Sequence, residues 1–235
     1  MSFAPIDKIH QALHAFHIPS TDRTRSVPSV HYCSCSADGN MFQCLVYNSD
    51  AADAKLIGIE YMVDESIFVT LPEDEKKYWH SHKHEVSTGT LVCIGLKGAA
   101  GTVAAGIKAA GEATGLSRTT GGGVPDAAEQ KVMERIYRLY GKIVHTWPDP
   151  DAPLPLGPPL LMMSTTDTYP GPSCQREMLR KRDEHYGIDT ESKRKHRHTF
   201  LDLDYSIAQG ADQYDATGEA PEFVTRVERM KTESK

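Results

Sequence analysis

A chain of 235 residues, 39% of them hydrophobic, is long enough for one domain with a sizeable core, or for one domain with an insertion and a tail. Its 26 basic and 32 acidic side chains leave a formal charge of -6, which excludes the basic surface that a nucleic-acid binder needs. No stretch is apolar for long enough to cross a membrane, and the opening MSFAPIDKIHQALHAFHIPS lacks a basic end followed by an apolar run, so a cytoplasmic protein is expected.

In chain order, Ile9, Leu13 and Phe16 fall at helical spacing and predict a short helix from Ile6 to Phe16. Residues 29–47 alternate around Asp38-Gly39-Asn40, the signature of a hairpin. Residues 55–63 read as a strand. Pro72 opens a short helix whose Glu73, Asp74 and Glu75 complement its positive end. Residues 88–94 are β-branched and apolar, another strand.

Residues 95–127 are rich in glycine and alanine and read as a partly helical insertion, with a lipid-surface segment as the alternative. Residues 128–142 carry a helical face of Val132, Ile136, Leu139 and Tyr140. A strand at 143–147 is followed by a loop with six prolines between Pro148 and Pro159. Leu160 to Met163 is apolar and expected to be buried. Charged helices follow at 177–186, closed by Gly187, and at 191–198, capped by Asp189 or Thr190. The basic residues Arg180, Lys181, Arg182, Lys193, Arg194, Lys195 and Arg197 read as a solvated helix face, with contact to anionic lipid as the alternative.

These elements predict an α+β fold with a mostly antiparallel central sheet and peripheral helices. The expected organisation is an N-terminal helical arm at 1–27, a single domain at 28–200 with the Gly/Ala-rich insertion at 95–127, and an acidic, loosely held tail at 201–235. The five cysteines, Cys33, Cys35, Cys44, Cys93 and Cys174, read as reduced thiols, mostly small core residues.

The densest chemistry is His80-Ser81-His82-Lys83-His84-Glu85. In an extended chain His80, His82 and His84 share one face and Glu85 points to the other. If a helix or bulge begins there, Glu85 swings into reach and forms a two-histidine, one-carboxylate set able to hold a metal. The alternative is a pair of hydrogen-bonded structural histidines behind Trp79. A cysteine nucleophile, Cys33 or Cys44 with His82 as base, has no activating neighbour in sequence.

Several segments in order carry a resemblance: His31-Tyr-Cys33, Gln43 to Asp50, Ala54 to Val63, Leu71 to His82 with Glu85-Val86, Tyr140 to Lys142 with His145 to Trp147, Leu154 to Pro159 with Leu161 to Ser164, and Arg182-Asp183 with Tyr186 to Ile188. Together they resemble the oil body-associated protein family over residues 28–198, in a fungal- or bacterial-type member carrying the Gly/Ala-rich insertion. The resemblance implies a protein that visits lipid droplets peripherally, and it brings no settled catalytic mechanism. Cys35 stands where the family pattern suggests a second histidine, which alters a site there without abolishing it, because cysteine also binds soft or borderline metals.

The expected ligands are His80 and His82, with His31 and His145 as further candidates and Glu85 as the catalytic carboxylate. His84 is the least favoured, since the resemblance rests on its neighbours. The expected ion is a divalent transition metal, iron, zinc, manganese or copper. Two function classes follow: a metal-dependent enzyme of hydrolase or oxygenase type with a small-molecule substrate, or a non-catalytic lipid-droplet-associated or interaction protein.

Overall fold

The computed structural model describes residues 2–97, 103–105, 124–224 and 226. The strands are β1 (Gln11–Pro19), β2 (Val27–Cys35), β3 (Met41–Tyr47), β4 (Leu56–Asp64), β5 (His80–Ser81), β6 (Val92–Lys97), β7 (Val103–Ala105), β8 (Leu139–His145) and β9 (Leu160–Met163). The helices are short: α1 (Glu65–Phe68), α2 (Glu73–Lys76), α3 (Lys83–Ser87), α4 (Asp126–Ile136), α5 (Gln175–Tyr186), α6 (Thr190–Arg197) and α7 (Gln213–Thr217), with a 3-10 turn at Ile6–Lys8.

Strands β1, β2, β3, β4, β8 and β9 pair in that order, all antiparallel, and β9 returns to β1 through Ile18↔Met163 and Pro19↔Met162. The result is a closed six-stranded barrel. Closure leaves no free edge along that ring. Strands β6 and β7 extend outward from β1, and β5 pairs with β8 through His80↔Gly141 and Ser81↔Tyr140.

This overturns the expected α+β architecture: the protein is mostly β, and its helices decorate a barrel. The decisive segment is the one read as an N-terminal helical arm. Residues 11–19 form β1, which closes the ring. Leu13, Ala15 and His17 alternate with His14, Phe16 and Ile18, and all six are buried. The outer set is covered by α5, where the His14 and Tyr186 rings lie 5.8 Å apart and the Arg182 guanidinium lies 5.9 Å from the Phe16 ring. A strand buried on both faces loses its polar alternation, so a chance helical spacing can mimic it.

One junction moved, and the two helix caps lie where the sequence placed them. The helix expected at 128–142 stops at Ile136, and Leu139 and Tyr140 belong to β8. Gly187, in the left-handed region at φ 57°, ends α5, and Asp189 caps α6 by accepting from the Ser192 amide at 2.7 Å. The expected reduced pair Cys33 and Cys44 is instead a cross-strand disulfide between β2 and β3. Cys35, Cys93 and Cys174 are free thiols.

The basic stretch is only partly solvated. Arg182, Lys193 and Arg197 are buried. Arg197 donates to the Val86 and Leu91 carbonyls at 2.8 and 2.7 Å and pairs with Glu129 of α4, which Lys193 also meets. The described part of the expected loose tail is docked. Tyr205 hydrogen-bonds Tyr140 through their hydroxyls at 2.7 Å, Asp212 accepts from the Ser81 amide at 3.0 Å and hydroxyl at 2.6 Å, and the Tyr214 hydroxyl donates to the Ser164 carbonyl at 2.7 Å. Most of the Gly/Ala-rich segment lies outside the described residues. Among the described residues, no helix is long and apolar enough to cross a membrane.

Candidate functional site

The barrel interior is apolar towards both ends. One end holds Val27, Val46, Ile57, Ile143 and Met162, and the other joins Leu13, Phe42, Met62 and Leu139 to the residues of α4. Between them lies a polar layer of His17, Ser29, His31, Glu60, His80, His82, Glu85 and His145, all buried. The pleat explains who belongs to it. His17, His31, Glu60 and His145 occupy the same alternating face as their registered neighbours Val27, Leu13, Ile143 and Gly58.

His80 and His82 come from β5 and the residue after it. The chain is extended at His80 and turns helical at Lys83, so Glu85 comes round to the same side as His82. Of the two local geometries left open by the sequence, the strand-to-helix one is found. His84 points away, and its Nδ1 donates to the Asp167 carboxylate at 2.9 Å.

Glu60 is the hub. Its Oε1 lies 3.3 Å from His82 Nε2 and 3.6 Å from His80 Nε2, and its Oε2 lies 2.8 Å from His31 Nδ1, in a contact whose alignment falls short of a hydrogen bond. His82 Nε2 is also 3.6 Å from Glu85 Oε1, while the Ser164 hydroxyl donates to Glu85 Oε2 at 2.5 Å. The Leu139 carbonyl holds His82 Nδ1 at 2.9 Å. A backbone carbonyl accepts only, so Nδ1 carries the proton and the Nε2 edge faces the two carboxylates.

Gly141 makes room for this assembly. A Cβ there would come within 2.5 Å of Glu60 Oε1 and 2.7 Å of the His80 ring.

The electrostatics follow the packing. Burial would raise the Glu60 pKa, but His31, His80 and His82 together hold it well below the ordinary value. Burial would lower that of His82, but Glu60 and Glu85 outweigh it and raise the value to about 9. His145 is pushed down to about 3 by burial, reinforced by His31, and His17 is driven well below 6.5 for the same reasons. These two neutral rings share one proton between His17 Nδ1 and His145 Nε2 at 2.8 Å.

The structure thus brings His80 and His82 to one oxygen of Glu60 and His31 to the other, sets Glu85 beside His82 alone, and places His145 one ring further off, behind His17. Cys35 lies outside this layer, its thiol against the Gly39 carbonyl at 3.4 Å. Among the described residues, two triads have donor atoms close enough to share an ion: Glu60, His80 and His82, and His31, Cys44 and Glu60. The second contains Cys44, whose sulfur is committed to Cys33 and offers no thiolate.

Sequence reasoning missed Glu60 and His17. Glu60 is an acid set at an inward position in the middle of the apolar run from Leu56 to Val63, and that inversion of pattern was the available signal. His17 was hidden by the helical reading of its segment.

A separate cleft of about 600 Å³ opens on the outer side of β5, lined by Ser81, His84, Asp167, Tyr205, Asp212 and Asp215 among others, and the buried histidines do not line it.

A family model described as "Protein of unknown function (DUF1264)" matches residues 3–201, a span that includes β1. Oil body-associated protein 1B of Arabidopsis thaliana is 36% identical over 197 residues, covering 83% of this chain and 68% of the relative. Oil body-associated protein 1A of Zea mays is 32% identical over 196 residues, covering 83% and 69%. Oil body-associated protein 2A of Arabidopsis thaliana is 34% identical over 197 residues, covering 83% and 68%. These relatives are plant proteins, and they lend no support to the expected fungal or bacterial type. No solved structure matches the chain.

Proposed function

The chain belongs to the DUF1264 family and is similar along most of its length to oil body-associated proteins, and on that premise we propose that it is a non-catalytic protein that contacts the surface of lipid droplets peripherally. The observation that carries the reading is this similarity, which spans 83% of the chain. The proline loop after β8 supplies a contact suited to it. Leu154 and Leu156 are 59% and 68% exposed there, and the Lys55 ammonium anchors the loop base by donating to the Pro150 and Ala152 carbonyls at 2.6 and 3.0 Å. Leucines held out on a fixed loop can enter the acyl boundary of a phospholipid monolayer without unfolding anything, each gaining on the order of 1.5–3 kcal/mol on full burial.

Burial weakens the metal-dependent enzyme reading. A small-molecule substrate would have to reach His80, His82 and Glu85, which are 1%, 1% and 4% exposed. Such a core suits holding an ion or fixing the fold better than turnover.

Flotation with triacylglycerol droplets coated in phospholipid tests the reading. The purified chain should rise with the droplets, and Leu154→Ser/Leu156→Ser should remain largely in the aqueous layer while melting at an unchanged temperature. A wild-type chain that stays in the aqueous layer at every droplet concentration rejects droplet contact. A double variant that floats as well as wild type moves the contact away from this loop.

A further inference from the structure

We propose that the centre of the barrel holds one divalent transition-metal ion, ligated by Glu60 Oε1, His80 Nε2 and His82 Nε2.

The donor spacing is the first support. Two ligand atoms at tetrahedral angles on an ion with bonds of about 2.0–2.2 Å lie about 3.3–3.6 Å apart. Glu60 Oε1 is 3.3 Å from His82 Nε2 and 3.6 Å from His80 Nε2, and all three donor atoms lie within 4.8 Å of one another. The His80 contact is too long for a hydrogen bond and suits an edge of a coordination shell.

The surroundings supply the second support. The proton on His82 Nδ1 is fixed by the Leu139 carbonyl, the arrangement that orients metal-ligating histidines. That leaves Nε2 aimed at Glu60 Oε1 and Glu85 Oε1, three acceptor atoms that are reconciled either by a proton or by a metal ion among them. Outside the triad, His31 steers the far oxygen of Glu60 and Ser164 steers Glu85. Gly141 keeps the space beside Glu60 and His80 clear of a Cβ.

Charge is the third. Glu60 and Glu85 are both buried, and two carboxylates in a core are costly unless neutralised. One divalent ion balances both. With it in place Glu60 from β4, rather than the Glu85 expected from the sequence, supplies the carboxylate of the two-histidine, one-carboxylate set, and Glu85 serves as a neighbouring counter-charge.

The competing occupant is a proton alone, and the experiment separates the two. Full-length protein without a histidine tag is stripped with a chelator and titrated separately with Zn²⁺, Mn²⁺, Fe²⁺ and Co²⁺, with uptake read by elemental analysis and by the melting temperature. Uptake of about one equivalent of at least one of these ions, with a raised melting temperature, is expected. Uptake should fall roughly tenfold or more in Glu60→Gln and in His80→Ala/His82→Ala. The Co²⁺ form should show ligand-field bands with no thiolate charge-transfer band, because Cys44 is not a donor.

No stoichiometric uptake of any of the four ions overturns the proposal in favour of the proton. Uptake that survives Glu60→Gln, or a thiolate band in the Co²⁺ form, overturns the ligand assignment. If a variant fails to fold, the wild-type titration and Co²⁺ spectrum decide alone.

Discussion

Gly141 shows how a single residue decides the interior. Alanine there would set a methyl group 2.5 Å from Glu60 Oε1 and 2.7 Å from the His80 ring, both buried and crowded. Neither can retreat without breaking the polar layer. Gly141→Ala should destabilise the fold by roughly 1–3 kcal/mol, the usual cost of overpacking. Urea unfolding would show it as a lower midpoint at unchanged slope, and a midpoint equal to wild type would mean that the layer is looser than these distances imply. At the same scale, Asp212 is a non-glycine residue in the left-handed region, at φ 52°. It is held there by its two hydrogen bonds to Ser81. Asp212→Ala leaves the Ser81 amide and hydroxyl unpaired and should cost about 1–3 kcal/mol, whereas Asp212→Asn keeps an acceptor and tolerates the backbone. Thermal melts of the two variants should therefore separate, and equal melting temperatures would refute the role given to the side chain.

Between elements, the buried ions bind the helices to the barrel rim. Arg197 of α6 reaches the Val86 and Leu91 carbonyls and Glu129 of α4, and Lys193 meets the other oxygen of Glu129. Removing the arginine takes one of the two cations from the buried Glu129 and leaves the Val86 and Leu91 carbonyls without their donor. Arg197→Ala should cost about 3–5 kcal/mol, to be measured by denaturant unfolding, and a loss below about 1 kcal/mol would place Arg197 in the class of surface pairs. The sequence suggested that class, because a run of basic residues on a helix looks the same whether its partners are water or carboxylates elsewhere in the chain. The i,i+3 pairs of α5 and α6, such as Arg180 with Glu177 and Arg194 with Glu191, do belong to it.

For the molecule as a whole, the neutral buried histidines set the response to acid. His14, His17 and His145 all have pKa values lowered, chiefly by burial, and the Arg182 guanidinium adds to the effect at His14. Each value lies below the 6.5 of the unfolded chain, so the unfolded state takes up protons that the folded state refuses. The stability contributed by these groups is present above pH 6.5, is lost as pH falls through that value, and for His145 keeps falling until about 3. Each can contribute up to about 1.4 kcal/mol per pH unit. The melting temperature should drop steadily from about pH 7 to about pH 5. His145→Gln should flatten part of that slope, and a slope unchanged by this substitution would show that His145 does not govern it.

By itself, the sequence determined the strongly patterned parts. The hairpin around Asp38-Gly39-Asn40, the strand at Leu56–Asp64, the caps at Gly187 and Asp189, and the cluster His80, His82 and Glu85 were all legible, because each is written in neighbouring residues. Only the tertiary structure decided that residues 11–19 are a strand, since a strand covered on both faces shows no alternation of polarity. That one strand turns an open sheet into a barrel. It also decided that Glu60, far along the chain from His80, is the carboxylate nearest both imidazoles, and that His145 pairs with His17. Register across six strands sets those distances, and register is a property of the closed ring that no local stretch of sequence contains.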